Sequence, residues 1–442
     1  MKQFYFAFFI LFVCSFSLHA QITFEKHYGD TNFVSDGYSV QQTFDGGYIM
    51  SGYQYNTQYN IYIVKTNSTG DTLWTRIFNG DNMVGFDVIQ TSDSGYVICG
   101  YKNSTSCDVN LIKLDVNGNF VWNNLFGGSG CQWGQVIRQT FDGGFIVAGW
   151  QLYKTDAAGN LVWTKPITGQ AMGIQQTSDS GYVICSFNGN SIYLNKTDSL
   201  GNNQWTKSYT GTLFNPSNNT VAQTSDGGYI LTGEDTSANR GMLLIKTDMN
   251  GDTTWTKNLG GYAGSSVEQT SDGGYAVAGF FENSSTHLDK MFVVKTNSNG
   301  IVQWSDTYGY AGNEWGNEMH RTSDGGYIIC GGTTSFSTQE FFLVKTDSLG
   351  NTVTGMHEIS QATNFHVYPN PFSSTVNINI QPGSRTQNLR FEMYDVMGQK
   401  VKQLEVNSLN FSFDGADLPS GIYIWKVFTG DEILCSGKVI RE

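Results

Sequence analysis

The chain has 442 residues, with 25 Lys and Arg against 38 Asp and Glu, and a formal net charge of −13. Only 14% of its residues are charged, and 52 are glycine. The negative charge, which no basic run interrupts, argues against nucleic acid and anionic lipid as partners. The composition is typical of a turn-rich extracellular β protein, and not of a disordered acidic one.

Residues 1–20 are predicted to be a secretory signal peptide. Lys2 gives a positive start, an apolar core runs from Phe4 to Val13, and Ala20 is a suitable last residue before cleavage. The apolar run is too short to favour a membrane span, and no later stretch reaches 18 apolar residues. We therefore expect no transmembrane segment in the mature chain. Cys14 invites a lipoprotein interpretation, but Val13 stands where a small residue is expected.

Between residues 21 and 356 one pattern recurs seven times. Each copy contains four short runs rich in Tyr, Ile, Val, Thr and Trp, which predict four antiparallel strands separated by glycine turns. The turns begin, at intervals of 37 to 52 residues, at Asp45, Asp93, Asp142, Asp179, Asp226, Asp272 and Asp324. Self-similarity at this period is typical of propellers. The sequence thus predicts an all-β fold with a seven-bladed β-propeller over residues 21–356.

The two ends of the repeat array are predicted to meet. In six copies a Trp stands four residues after the second turn glycine: Trp74, Trp122, Trp163, Trp205, Trp255 and Trp304. The seventh copy has Thr354 at this offset. The segment from Phe24 to Gly29 matches that from Trp304 to Gly309 in its aromatic and glycine spacing. We expect this N-terminal strand to complete the last blade, which removes an open sheet edge.

The two faces of the predicted ring differ. Glycine hairpins on one face scarcely vary, whereas loops and crossovers on the other vary in length and content. Variable loops on a rigid scaffold are where binding usually occurs, and exposed aromatic rings suit sugar rings or protein side chains. The candidate ligand-binding residues on this face are Tyr53, Tyr101, Trp133, Trp150 and Trp315. The alternative is that these rings cap blade ends or fill the mouth of the channel.

The cysteines fall into two groups. Cys107 and Cys131 lie in connections on the same rim, so the geometry permits a disulfide of the kind that exported proteins carry. The three cysteines that share one second-strand position, in non-adjacent blades, are predicted to be buried free thiols: Cys99, Cys185 and Cys330. Cys435 has no evident partner.

Little in the chain indicates catalysis. No H-E-x-x-H, C-x-x-C, G-x-S-x-G or P-loop motif occurs, and the seven turn aspartates are spread around the ring, so we expect no metal site and no cofactor. One segment, 314–321, departs from the repeat, with Arg321 where six copies have Gln. Its Glu318, with Asp87, places carboxylates near the channel mouth, and paired carboxylates can cleave glycosides. The alternatives are a solvated, hydrogen-bonded blade edge and a ligand-binding position.

After a polar linker over residues 357–364, the pattern changes. Residues 365–442 contain five strand-like runs and predict a small C-terminal immunoglobulin-like β-sandwich. The runs are Thr375–Ile380, Leu389–Tyr394, Phe411–Phe413, Ile422–Val427 and Lys438–Ile440.

Four motifs in this segment carry a family resemblance. They are Val367-Tyr368-Pro369-Asn370-Pro371-Phe372, Tyr394-Asp395-Val396-Met397-Gly398-Gln399-Lys400-Val401, Asp417-Leu418-Pro419-Ser420-Gly421-Ile422-Tyr423 and Lys438-Val439-Ile440. The segment resembles the type A sorting domain of the type IX secretion system of Bacteroidota, and the repeats resemble propeller repeats common in cargo of that system. The matching motif residues are Pro369, Asn370, Pro371, Asp395, Gly398, Asp417, Gly421, Tyr423 and Lys438.

The resemblance implies a route and a partner. The protein would cross the inner membrane by its signal peptide, and the type IX machinery would then recognise the C-terminal domain. It would reach the medium or the outer cell surface through the periplasm.

We therefore predict a secreted or cell-surface propeller protein that binds a polysaccharide or a surface protein. One alternative is a carbohydrate-active enzyme, a glycoside hydrolase or lyase, that uses Glu318 and a second carboxylate. Another is a structural protein of the surface layer.

Overall fold

In the computed structural model the chain divides into two compact units, Met1–Thr352 and Val353–Glu442. All elements of regular secondary structure among the described residues are β-strands. This part of the chain contains no helix long and apolar enough to cross a membrane. The predicted signal peptide, 1–20, and the predicted linker, 357–364, lie outside the described residues. The described residues are 21–30, 32–103, 107–127, 130–189, 191–213, 219–237, 240–283, 288–352, 365–369, 371–380, 389–395, 399–406, 408, 410–429 and 432–442.

The first unit contains strands β1 to β28. In chain order they are Phe24–Tyr28, Val34–Gln42, Tyr48–Tyr55, Tyr59–Thr66, Thr72–Phe78, Met83–Gln90, Tyr96–Asn103, Cys107–Leu114, Phe120–Phe126, Gly134–Gln139, Phe145–Gly149, Gln151–Thr155, Leu161–Pro166, Gln170–Gln176, Tyr182–Asn188, Ser191–Thr197, Asn203–Thr210, Val221–Gln223, Tyr229–Asp235, Gly241–Thr247, Thr253–Asn258, Ala263–Gln269, Tyr275–Asn283, Leu288–Thr296, Val302–Tyr308, Glu314–Arg321, Tyr327–Thr333 and Glu340–Thr346.

These strands form seven four-stranded antiparallel sheets. Sheets 1 to 6 each take four consecutive strands, beginning with β2, β6, β10, β14, β18 and β22. Sheet 7 consists of β26, β27, β28 and β1, with Phe24 opposite Lys345 and Tyr28 opposite Phe341. The N-terminal strand thus completes the last sheet, as the aromatic and glycine spacing predicts.

The seven sheets close into a propeller-like ring. The first strand of each sheet packs against the first strand of the next, and β26 of sheet 7 packs against β2 of sheet 1. The first strands therefore surround the centre of the ring. The apolar core lies between sheets: one cluster joins Val40 and Met50 of sheet 1 to Ile328 and Leu343 of sheet 7.

Each fourth strand docks on the following sheet through an aromatic pair. Trp74 packs edge-on against Tyr96, with ring centroids 5.8 Å apart, and Trp304 packs in the same way on Tyr327 at 5.9 Å. Phe24 makes the equivalent contact with Tyr48 at 5.9 Å. In sheet 7 a phenylalanine takes the position that tryptophan occupies in the other sheets. The same aromatic contact therefore also links sheet 7 to sheet 1.

The hairpin between the first and second strands is held by one repeated side-chain arrangement. In sheet 6, Thr270 and the backbone N–H of Gly274 both donate hydrogen bonds to the Asp272 carboxylate. Lys295 from the third strand reaches the same carboxylate at 2.8 Å and also donates to the carbonyl of Thr296 at 2.8 Å. The turn and the third strand are therefore fixed to each other.

The same Lys–Asp ion pair occurs in all seven sheets, at 2.7 to 2.9 Å. The lysine side chains are only 1% to 8% exposed. The pairs are Lys65–Asp45, Lys113–Asp93, Lys154–Asp142, Lys196–Asp179, Lys246–Asp226, Lys295–Asp272 and Lys345–Asp324. A buried ammonium needs such partners because an unpaired charge in the interior is costly.

The second unit contains two sheets around one core. Its strands β29 to β35 are Phe365–Tyr368, Thr375–Ile380, Leu389–Tyr394, Lys400–Val406, Asn410–Asp414, Gly421–Thr429 and Glu432–Arg441. One sheet has the order β29-β30-β33 and the other β32-β31-β34-β35. The core includes Phe391, Phe413 and Trp425. The sequence-predicted runs omit β29 and β32, which are short or polar in composition.

Lys295→Met tests the hairpin arrangement. Removing the ammonium takes the ion-pair partner from Asp272, which keeps its bonds from Thr270 and Gly274, and the donor from the carbonyl of Thr296. We expect a loss of about 1–2 kcal/mol in the free energy of unfolding. Urea denaturation of the full chain measures it. The control is Lys207→Met, which breaks an exposed 2.7 Å pair with Asp252 whose side chains are 38% and 65% exposed. That variant should lose less than about 0.5 kcal/mol, and equal losses in the two variants would contradict the structural role of the Lys295–Asp272 pair.

Candidate functional site

A connected group of aromatic rings lies on the variable-loop face of sheets 1 to 3. We call it the aromatic platform. Successive ring centroids are 4.8 to 5.8 Å apart. In spatial order its members are Tyr55, Tyr59, Tyr53, Tyr38, Phe86, Tyr101 and Trp133. Tyr55 and Tyr59 are each 38% exposed, Phe86 is 7% exposed and the other four rings are half-buried, so solvent reaches the platform mainly at the Tyr55 end.

Bulges in the first strands bring two of these rings into the platform. The pairing of β2 with β3 shifts between Gly37 and Ser39, and that of β6 with β7 shifts between Gly85 and Asp87. Tyr38 and Phe86 are the residues between, and their rings stack at 5.6 Å. A bulge adds a residue to one strand and re-aims the side chains around it. Sequence reasoning missed both residues, because an extra residue in a strand has no regular spacing.

Trp133 is held by a disulfide. Cys107, at the start of β8, is bonded to Cys131, with Cα atoms 4.3 Å apart. The backbone N–H of Gln132 donates to the carbonyl of Cys107 at 2.7 Å, and the Trp133 indole N–H lies 2.9 Å from the Cys131 sulfur. The crossover into sheet 3 is thereby fastened beside Tyr101. The three cysteines predicted to be buried free thiols are buried and unbonded in the structure: Cys99, Cys185 and Cys330.

A buried carboxyl group adjoins the platform. Asp36 is 5% exposed, and the indole N–H of Trp315 donates to its two oxygens at 3.2 and 3.3 Å. Burial raises the pKa of Asp36 well above its usual range, although the Trp315 bond opposes this. Burial also raises the pKa values of Tyr38 and Tyr53, and the nearby Asp36 carboxylate adds to both shifts. Sequence reasoning missed Asp36.

The five predicted ligand-binding residues therefore separate. Tyr53, Tyr101 and Trp133 belong to the platform, and Trp315 lies beside it on Asp36. Trp150 is 46% exposed and has no ring contact with another described aromatic residue. The structure brings together four of the five.

A second constellation lies near the centre of the ring. We call it the charged cluster: Asp87, Arg138, Glu268, Glu318 and His320. Arg138 reaches Asp87 at 2.8 Å and Glu318 at 3.8 Å, so one guanidinium joins sheets 2, 3 and 7. The His320 ring lies 2.5 Å from Glu268 through Nδ1 and 3.2 Å from Glu318 through Nε2.

The two catalytic candidates are both part of this cluster. The side chains of Asp87 and Glu318 are each 1% exposed. Ser39 and the backbone N–H of Ile137 donate to Asp87, and the backbone N–H of Val40 donates to Glu318. These bonds cross between sheets and hold the first strands together. Neither carboxyl group faces a surface on which a glycosidic bond would lie, so the geometry favours a structural role over general acid catalysis.

Charge within the cluster alters its pKa values. Burial raises the pKa of Asp87 to about 6, and repulsion from Glu318 adds to this. Burial alone would raise the pKa of Glu318, but attraction to His320 and Arg138 holds it below its ordinary value. Burial would lower the pKa of His320, but the Glu318 and Glu268 carboxylates raise it to about 10. His320 is therefore a cation at neutral pH.

The described residues contain no group of three or more His, Cys, Asp or Glu side chains arranged to hold a metal ion. The sorting-motif residues serve turns and the core of the second unit. Asp395 accepts from the backbone N–H of Gln399 at 2.9 Å, Asp417 pairs with Lys402 at 3.0 Å, and the Tyr423 hydroxyl donates to Pro419 at 2.7 Å.

The remaining motif residues are less informative. Pro369, Pro371 and Gly421 are exposed, and the backbone of Lys438 pairs with Ile424. Asn370 and Gly398 lie outside the described residues.

The charged cluster predicts a pH effect. Because the folded-state pKa of His320 is about 10 against an ordinary 6.5, its ion pairs should stabilise the fold fully below pH 6.5 and be lost as pH rises through 10. NMR should show the ring as an imidazolium at pH 8.5. The alkaline fall in melting temperature should be smaller in His320→Gln, because that side chain does not titrate. A ring that titrates near pH 6.5 would contradict the paired geometry.

Comparison with known proteins places the C-terminal segment. Residues 366–442 match the family described as the secretion system C-terminal sorting domain. This match supports export by type IX secretion, to the medium or the outer cell surface. No curated protein matches the sequence.

Several solved structures show a partial likeness to this chain. The Pan2 WD40 domain of Neurospora crassa shares 9% identity at a TM-score of 0.46, over 74% of this chain and 100% of that one. BamB from Moraxella catarrhalis shares 12% at 0.38, over 72% and 98%. A protein of unknown function from Dyadobacter fermentans shares 9% at 0.43, over 74% and 98%.

Proposed function

We propose that the protein is a seven-bladed β-propeller that the type IX machinery exports, and that it binds polysaccharide outside the cell through the aromatic platform. The C-terminal immunoglobulin-like sandwich would be the sorting signal, and residues 21–356 the working domain. The match of residues 366–442 to sorting domains supports the route. The observation that carries the binding role is the unbroken aromatic platform across three sheets.

The chemistry of the platform suits sugars. Each pyranose presents an apolar face of C–H groups and a rim of hydroxyls, and a tyrosine or tryptophan offers both an apolar ring and a polar group. Five of the seven platform rings are tyrosines: Tyr38, Tyr53, Tyr55, Tyr59 and Tyr101. Several adjacent rings would contact successive sugar units of an extended chain, so a polymer gains more contact area than a single sugar. Trp and Tyr also dominate protein interfaces, which makes a surface protein the second candidate.

Tyr101→Ala and Trp133→Ala test this role. We expect each to weaken binding of the full chain to insoluble polysaccharides (cellulose, xylan, mannan, chitin) by about tenfold, because each ring contributes roughly 1–2 kcal/mol. Pull-down isotherms measure the affinity, and melting curves check that the variants fold. Phe141→Ala is the matched control, since Phe141 is 73% exposed and lies in a glycine hairpin on the opposite face.

The outcomes separate the candidate functions. Unchanged binding in both platform variants would contradict the proposed surface. Binding to none of the polymers would reject a polysaccharide ligand and direct the search to surface proteins or a surface-layer role. Release of soluble sugar by the wild type, abolished in Glu318→Gln, would favour the enzyme alternative.

A further inference from the structure

A cavity of about 760 Å³, lined mainly by residues with polar side chains, lies at the face that carries the glycine hairpins. It is lined by the last residues of first strands and by hairpin residues of sheets 3 to 7, among them Arg138, Gln175, Asn219, Gln223, His320 and Arg321. Its volume lies within the range of small-ligand sites. None of the platform residues lines it, and the platform lies toward the opposite ends of the first strands.

The lining of the cavity is richer in cations than the protein as a whole. The Arg138 and His320 side chains are 20% and 24% exposed, whereas the carboxylates beneath them, Asp87 and Glu318, are 1% exposed. Glu268 is the one carboxylate in the lining, and its side chain is 22% exposed. The cations of the lining, which include Arg321, therefore outnumber its one carboxylate, although the whole chain carries a charge of −13.

Arg321 occupies a position that glutamine fills in the other six sheets. There the glutamine side-chain oxygen accepts a hydrogen bond from the backbone N–H of the neighbouring sheet's hairpin at 2.7 to 3.0 Å. The glutamines are Gln42, Gln90, Gln139, Gln176, Gln223 and Gln269.

At the junction of sheets 6 and 7, the described residues form no equivalent bond between the Arg321 side chain and the hairpin of sheet 6. The Arg321 guanidinium also forms no ion pair with any described residue, and it lines the cavity. Sheet 7 therefore lacks the glutamine hydrogen bond that the other sheets share. In its place, an arginine without an ion-pair partner among the described residues lies at the cavity. Local departures from a repeated structural rule are expected at functional positions.

We propose that this cavity binds a sugar that bears a carboxylate, of the uronic acid class, with Arg321 on the carboxylate. Arg138 already donates to Asp87 and Asn219 and contributes only its charge. A guanidinium matches a carboxylate in a bidentate fork, which gives direction as well as attraction. The side-chain oxygens of Gln175, Asn219 and Gln223 already accept hydrogen bonds within the ring, so their NH2 groups, together with hairpin hydroxyls, would bind the hydroxyls of the sugar. The cavity is a second site, and it does not depend on the aromatic platform.

Calorimetry on the full chain with D-galacturonate and D-galactose tests the proposal, because the two sugars differ only in the carboxylate. We expect galacturonate to bind and galactose to bind at least tenfold more weakly. Arg321→Gln should weaken galacturonate binding at least tenfold and leave the melting temperature of the free protein unchanged or higher. Glutamine is the residue that the other sheets use at this position, so the variant should fold.

Several results would overturn the proposal. Absence of galacturonate binding would remove the site, and wild-type affinity in Arg321→Gln would remove the assigned residue. Equal affinity for sodium acetate would show that the cavity selects charge and not a sugar acid. Trp133→Ala should bind galacturonate normally, and a loss there would place the ligand on the platform instead. Tighter binding of digalacturonate would identify a polymer end as the ligand, and equal binding a free sugar acid.

Discussion

The ion pair between a buried lysine and a turn aspartate is the interaction on which the ring depends. In each sheet it joins the hairpin of the first two strands to the third strand, at the face where those hairpins lie. The carboxylate also accepts a backbone N–H and a threonine hydroxyl, so it replaces the water that a turn and an ammonium would otherwise need. The lysine can be buried because its ammonium is hydrogen-bonded to the carboxylate and to a backbone carbonyl. With the hairpin fixed, the aromatic residue that follows it, a tyrosine in six sheets and Phe145 in sheet 3, is held in place to receive the aromatic ring of the preceding sheet.

Much of this arrangement is predictable from the sequence, because repetition reveals what spacing alone cannot. The turn aspartates, the docking tryptophans and the substitute strand beginning at Phe24 all stand at fixed offsets, and the structure confirms that β1 pairs in the last sheet. The lysine of each copy is equally regular in sequence. Its role as the partner of the aspartate was nevertheless missed, because period-two alternation predicts only which face a side chain occupies and not that a charged one is buried.

The candidate sites were predictable only in part, since they arise from contacts between copies. Tyr53, Tyr101 and Trp133 stand out as aromatic residues in variable loops. Tyr38 and Phe86 complete the platform from bulges, which shift the register by one residue and are invisible to a spacing argument. Glu318 and Asp87 were identified as unusual, but their burial depends on Arg138, which comes from another sheet.

The bulges also explain how one inner strand contributes side chains both to the variable-loop face and to the centre of the ring. In β6, Phe86 is the bulged residue and stacks in the platform, while the next residue, Asp87, joins the charged cluster. In a regular strand, neighbouring side chains point to opposite faces of the sheet, and both faces here are packed against other sheets. The extra residue breaks that alternation near the middle of the strand. Residues before it can then contribute to the variable-loop face, and residues after it to the centre and the cavity. Two sites of different chemistry, one aromatic and one cationic, thus follow from a single irregularity repeated in the inner strands.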